Sequence, residues 1–151
     1  MVQSLQKGGS VLASQCLLVS NNTFFSGLVS DIEIVDGSSF DVLTKVRDYV
    51  HRGAIILTHP LCGNMRPTQQ PFRSVIMRTF SESQPVDETS LTLIENALGI
   101  YRSCLERLAR ADVLPDPIAS DYAFVDFELM RASLESLGLL HNGVVNNSER
   151  R

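Results

Sequence analysis

Between residues 31 and 58 the chain reads DIEIV, then SSFDVLTKVRDYVHRG, then AIILT, a strand, a helix and a strand in close succession. Such an order is a crossover: it favours parallel pairing of the two strands and a right-handed connection. The helix is marked on all sides. Phe40, Leu43, Val46 and Val50 recur at helical spacing, Ser38 with Asp41 forms a capping-box-like start, and Gly53 stands where the helix would end. Arg47, His51 and Arg52 fall in the last turns, where cations oppose the negative end of the helix dipole. Ile32 and Ile34 alternate with charged neighbours as on a half-exposed strand near an edge, whereas AIILT reads as fully buried.

The flanking segments extend this unit. CLLVS (16–20) is an unbroken apolar run that ends in Asn21 and Asn22, the look of a buried strand leaving a sheet. TFFSGLV leaves room for one helical turn, and RSVIMRTF (73–80) has the β-branched and aromatic content of a strand lying antiparallel at an edge. From Asp87 the series Leu91, Ile94, Leu98, Tyr101, Leu105, Leu108 keeps one apolar stripe for about five turns. LPDP (114–117) interrupts, and Asp121 to Leu137 carries Phe124, Phe127, Leu134 and Leu137 on one face before Gly138. The two long helices are expected to pack against each other and against the sheet. The fold class is therefore α/β: a small mixed, partly parallel sheet of about four strands in the first half, packed by one crossover helix and two long C-terminal helices. Residues 1–15 are expected to be a flexible extension, 16–138 a single domain and 139–151 a tail.

Composition limits the partners. The 151 residues carry a net charge of −4 with 13 scattered Lys and Arg, which argues against a nucleic-acid partner that would need clustered cations. No apolar run approaches the roughly 20 residues of a membrane helix, and the first fifteen residues lack the pattern of a secretory signal, so the expected location is cytoplasmic with no membrane partner. Cys16, Cys62 and Cys104 form no CxxC pair, and Cys16 and Cys104 lie in apolar segments. Phosphate-loop patterns of the GxxxxGK[ST] and GxGxxG types do not occur, and no cofactor is implied.

If the first and third strands are parallel neighbours, Asn21–Asn22 and Thr58–His59 leave the sheet at the same carboxyl edge, where open α/β sheets place ligands. This brings the loop LTHPLCGNMRPTQQP (57–71) beside the asparagines and defines a candidate ligand site of Asn21, Asn22, Thr58, His59, Gly63, Asn64 and Arg66. His59 is the candidate acid or base, because imidazole exchanges a proton near neutral pH. The competing reading has His59 donating a hydrogen bond to a loop carbonyl before Pro60, and a lone histidine without an identified partner favours it. Arg66, with Arg73, would pair with a carboxylate or phosphate; exposed arginines that only solubilise the loop are the alternative. Cys62 is a weak nucleophile candidate without a defined partner, and no second pair of ligands accompanies His59 and Cys62 to make a metal site.

The succession LVSNN, DVLTKVRDYVHRGAIILTHPLCGNMRPTQQPFRSV and DETSLTLIENAL resembles the GrdX family, over roughly residues 17–137. Its most distinctive part contains His59, Pro60, Gly63, Pro67 and Pro71. Members are small proteins encoded beside the glycine, sarcosine and betaine reductase components of amino-acid-fermenting anaerobes, and the family has no established activity. A serine is usual in the family where this chain has Cys62, which further weakens a thiol mechanism. The resemblance implies a cytoplasmic accessory or small-ligand-binding protein that contacts reductase components; a homodimer through the long helices is a further expectation from the apolar stripes. The alternative is an enzyme acting on a small anionic metabolite, with His59 as acid or base and Arg66 as anion clamp.

Overall fold

Strand β1 (Ser14–Ser20) and strand β4 (Ser74–Phe80) form the centre of the sheet, paired antiparallel along their whole length from Ser14 opposite Phe80 to Ser20 opposite Ser74. The computed structural model describes residues 12–63 and 65–141. Strand β2 (Ile32–Ile34) runs parallel to β1 at one edge, and the short β3 (Ile55–Ile56) runs antiparallel to β4 at the other, giving the order β2-β1-β4-β3. The sheet is mixed and partly parallel, as the patterning predicts.

Its internal order departs from the expectation in several places. β2 and β3, which the crossover order would pair, lie at opposite edges with β1 and β4 between them, and AIILT is an edge segment with Leu57 exposed, not a fully buried strand. β4 is central, not an edge strand: Val75, Ile76 and Met77 are fully buried, and only Arg78, Thr79 and Phe80 at its far end are half-exposed. It also stands between β1 and β3, so those strands point the same way without being neighbours. β3 is an edge strand of two residues because Leu57 and Thr58 both send their N–H groups to the Ile76 carbonyl, a bulge that ends the ladder. The outer N–H of Ile56 is satisfied by the Ser90 hydroxyl at 2.9 Å, so a helix end covers that edge.

Alternation along the central strands divides the core. Val19, Val75 and Met77 face one way, toward α1 (Ser39–His51) and α2 (Glu88–Arg102); Leu18 and Ile76 face the other, toward α3 (Asp116–Ser136). The result is three layers, with α1 and α2 packed together on one face and α3 alone on the opposite one. The long helices thus do not pack on each other as their stripes suggested. The α2 helix stops at Arg102, leaving Leu105 and Leu108 outside it, and the irregular segment 103–115 carries the chain across to the second face. The α3 helix starts five residues earlier than the patterning implied, at Asp116, because Pro117 suits a first helical turn, where its missing N–H costs nothing.

Local signals in α1 are realised. Ser38 accepts from Asp41 N–H at 3.3 Å, the Asp41 carboxylate accepts from Ser38 N–H at 2.8 Å, and Gly53 turns the chain at φ +99°. A Cβ on Gly53 would lie 2.5 Å from the Gln84 carbonyl, so a side chain has no room there. The helical turn foreseen after Asn22 is a 3₁₀ turn, Thr23–Phe25. The ends of the folded unit reach slightly beyond 16–138: Ser14 and Gln15 belong to β1, and Leu139 is buried while Leu140 bridges to Val29. Residues 1–11 of the expected extension and 142–151 of the expected tail lie outside the described residues.

Candidate functional site

β1, β2 and β3 share a direction, so their carboxyl ends meet at one edge of the sheet, together with the start of β4. Alternation continues past the last residue of β1 and sends Asn21 and Asn22 to different tasks. The Asn21 amide donates to the Gly37 and Pro71 carbonyls at 3.1 and 3.0 Å, and its oxygen accepts from Arg73 N–H at 3.0 Å. It therefore ties three segments together at the edge. Asn22, buried, donates to the Ala123 carbonyl at 2.9 Å and to the Asp126 carboxylate at 3.1 Å, fixing β1 to α3.

Two concavities open beside these asparagines and share Phe72 as a common wall. One, of about 200 Å³, lies among Asn21, Asp36, Ser38, Phe72, Arg110 and Asp112. The other is a more open groove of about 490 Å³ between Asn22, Phe24, Phe72 and the first turns of α3 at Asp116, Ser120 and Ala123. Among the described residues of the loop, 57–63, 65 and 66 line neither of them. The loop contributes its far end, Pro71 and Phe72, and the remainder has other work.

That work is visible residue by residue. Thr58 accepts from Ile76 N–H at 2.9 Å and completes the bulge. His59 is exposed, and its Nδ1 accepts from Leu61 N–H at 3.0 Å, so it holds the turn as an acceptor where the structural reading had it donating to a carbonyl. Gly63 takes φ +101°, and a Cβ there would stand 2.5 Å from Leu129 Cδ1 of α3. Arg66 is exposed; its backbone opens a turn, with its carbonyl accepting from Gln69 and Gln70 N–H at 2.9 and 3.0 Å. Asn64 lies outside the described residues. Cys62 is half-buried, its carbonyl engaged by Arg73.

Arg73 is the largest departure from expectation. It is 3% exposed, and its guanidinium donates to Tyr101 Oη at 2.7 Å, to the Cys62 carbonyl at 3.0 Å and to the Met65 carbonyl at 2.7 Å. A surface anion clamp shared with Arg66 is thus replaced by an internal brace, in which a planar fork gathers the loop onto α2.

On the α3 side the edge holds a buried polar chain. Ser74 Oγ donates to Asp126 Oδ2 at 2.6 Å, which leaves Ser20 Oγ, 2.8 Å from Ser74 Oγ, as donor in turn; Ser20 also accepts from Asn22 N–H at 2.9 Å. Burial pushes the Asp126 carboxyl above its ordinary value, while the hydrogen bonds from Ser74 and Asn22 and the charge of Arg73 act the other way. Among the described residues, no group of three or more His, Cys, Asp or Glu side chains could hold a metal ion. No described helix is long and apolar enough to cross a membrane.

A protein-family model described as GrdX-like protein matches residues 17–135. The chain belongs to this GrdX-like family. No curated protein and no solved structure matches it. The matched GrdX-like region begins in β1 and ends in α3, so it contains both asparagines, the whole loop, Arg73, Arg110 and Asp126.

Several of these positions carry a signal in the sequence of this GrdX-like protein. Asp36 and Gly37 leave β2 at the same carboxyl edge as Asn21 leaves β1, the edge where open α/β sheets form a ligand crevice. Asp126 sits on the buried stripe of α3 with Ala123, Phe127, Met130 and Leu134, and an acidic residue at that spacing is itself informative. Arg110 and Asp112 lie in the aperiodic segment after α2, where nothing local shows which edge they will meet.

Proposed function

We propose that this GrdX-like protein is a cytoplasmic, non-catalytic accessory of the glycine, sarcosine and betaine reductase system of an amino-acid-fermenting anaerobe, and that it binds a small ligand at the carboxyl edge of its sheet. The observation that carries the ligand-binding part is the small cavity between Asn21, Phe72 and Arg110, one wall of which is an asparagine whose amide is fully committed to the surrounding backbone. A wall fixed in this way is pre-organised, which lowers the ordering cost of binding. The reductase setting is drawn from the family resemblance.

Acid or base chemistry by His59 with Arg66 as clamp draws less support. Both side chains are exposed, neither lines the cavity, and one imidazole nitrogen is engaged within its own turn. The test is affinity purification of the tagged full chain from an anaerobe carrying the reductase genes. Recovery of a reductase component in stoichiometric amount is expected. Recovery of the chain alone under strictly anaerobic conditions would overturn the accessory reading.

A further inference from the structure

We propose that the cavity between the end of β2, Phe72 and the 110–112 turn binds a small zwitterion of the α-amino-acid kind, its carboxylate on Arg110 and its ammonium between Asp112 and Asp36. The inference deepens, and rests on, the reading of this edge as a ligand site.

Size comes first. At about 200 Å³ the cavity is smaller than the roughly 300–1,000 Å³ typical of drug-sized ligands, so its occupant has few heavy atoms. Next, the available groups can be separated from those already spent. Asn21 has its amide bound to Gly37, Pro71 and Arg73, and Ser38 is closed in its capping box with Asp41. What remains to meet a ligand is the charged side chains of Arg110, Asp112 and Asp36, with Phe72 as apolar wall.

Arg110 and Asp112 already pair, at 3.3 Å through both Nε and Nη2, but their side chains are 57% and 65% exposed. An exposed pair of that kind contributes little and is readily exchanged. A ligand carrying both charges replaces it like for like. Its carboxylate takes the two-pronged face of Arg110, and its ammonium takes the carboxylate that Arg110 releases, with Asp36 as second acceptor. Phe72, largely buried, supplies apolar wall beside these charges. A plain anion would instead face two carboxylates, and a plain cation would leave Arg110 and Asp112 paired with each other and meet Asp36 alone. Opposed charges on the walls of one small cavity select a molecule with opposed charges.

The experiment follows the backbone amides of Gly37, Phe72 and Ala111 by NMR in the full chain during titration with glycine, acetate or methylamine. Glycine is expected to produce saturable shifts at these amides, with acetate and methylamine at least about tenfold weaker, the loss expected when one charged contact is missing. Arg110→Gln and Asp112→Asn, at exposed positions that leave the core intact, are each expected to weaken glycine by at least about tenfold. Equal binding of acetate or methylamine at the same amides overturns the zwitterion assignment and leaves the ligand-site reading standing. Absence of saturable shifts from all three probes overturns the zwitterion assignment along with the placement of the ligand site. Saturable glycine binding by a chain that co-purifies with no reductase component supports the zwitterion site and overturns the accessory role alone.

Discussion

Ser74, the first residue of β4, donates a 2.6 Å hydrogen bond to the buried carboxylate of Asp126 in the middle of α3. Through Ser20 and Asn22 the same carboxylate reaches the end of β1, so the two central strands and the lone helix of the second face meet on one acidic group. A chain of hydrogen bonds with every member satisfied fixes the relative height of strand and helix, which apolar packing alone would leave freer to slide.

Asp126→Ala removes the acceptor and leaves the Ser74 hydroxyl and one Asn22 N–H unpaired in the interior. The expected loss is about 2–4 kcal/mol in urea unfolding, the cost of stranded buried donors. A loss under about 1 kcal/mol would mean that water reaches the cluster.

The carboxyl of Asp126 is raised in the fold above its unfolded value of about 3.9. The folded state therefore holds its proton to higher pH than the unfolded chain does. Its contribution to stability is fully present below about pH 3.9 and is lost as pH rises through the folded value. Asp126→Asn cannot ionise. The stability of this variant relative to the parent should climb with pH above about 4, then level off. A difference that stays constant from pH 4 to 7 would contradict the assignment.

Arg73→Met deletes three charge-assisted hydrogen bonds at a site 3% exposed and strands the Cys62 and Met65 carbonyls. A loss of about 3–5 kcal/mol is expected, the range for breaking buried charged networks, with faster proteolysis within residues 61–65. Arg73→Lys keeps the charge but lacks the planar fork, so it should recover only part of the loss. Full recovery by lysine would show that charge, and not the three-way grip, is what matters.

His59→Ala removes one exposed acceptor from a local turn. The midpoint of thermal unfolding should change by an amount equivalent to less than about 1 kcal/mol, and glycine-induced shifts at Gly37 should be unaltered. Loss of those shifts would return His59 to the ligand site.

Gly63→Ala places a methyl group against Leu129 and forces a non-glycine residue to φ +101°. About 1–3 kcal/mol should be lost. Adding Leu129→Ala removes the clash and leaves the backbone strain, so the double variant should lose less than the sum of the single changes. Strict additivity would show that the loop and α3 do not touch.

What the sequence determined by itself is whatever depends on neighbours along the chain. The α1 helix, its capping box and its glycine stop are readable because each is settled within a few residues. That Asn21 and Asn22 leave the carboxyl end of β1 is local text; that this end shares an edge with Thr58 and His59 is conditional, in the sequence, on β1 and β3 being neighbours, and it holds because β4 lies antiparallel between them. The family resemblance rests on the same local text, in the loop and the segments that flank it.

Only the tertiary structure decided which strand is central, which helix covers which face and which polar side chains are buried. β4 looks like an edge strand until its whole length is paired with β1, and α2 and α3 look like partners until segment 103–115 carries the chain from one face to the other. The same holds for the arginines: Arg66 and Arg73 are equivalent as sequence, yet alternation from β4 points Arg73 beneath the loop toward Tyr101 while Arg66 stays in solvent. Arg110 reaches the cavity from more than seventy residues beyond Asp36 along the chain. The physical reason is common to all of these. Periodicity shows which face of an element is buried, but which segment covers that face is set by contacts between distant parts of the chain, whose free energies depend on the whole arrangement and leave no trace in any one stretch.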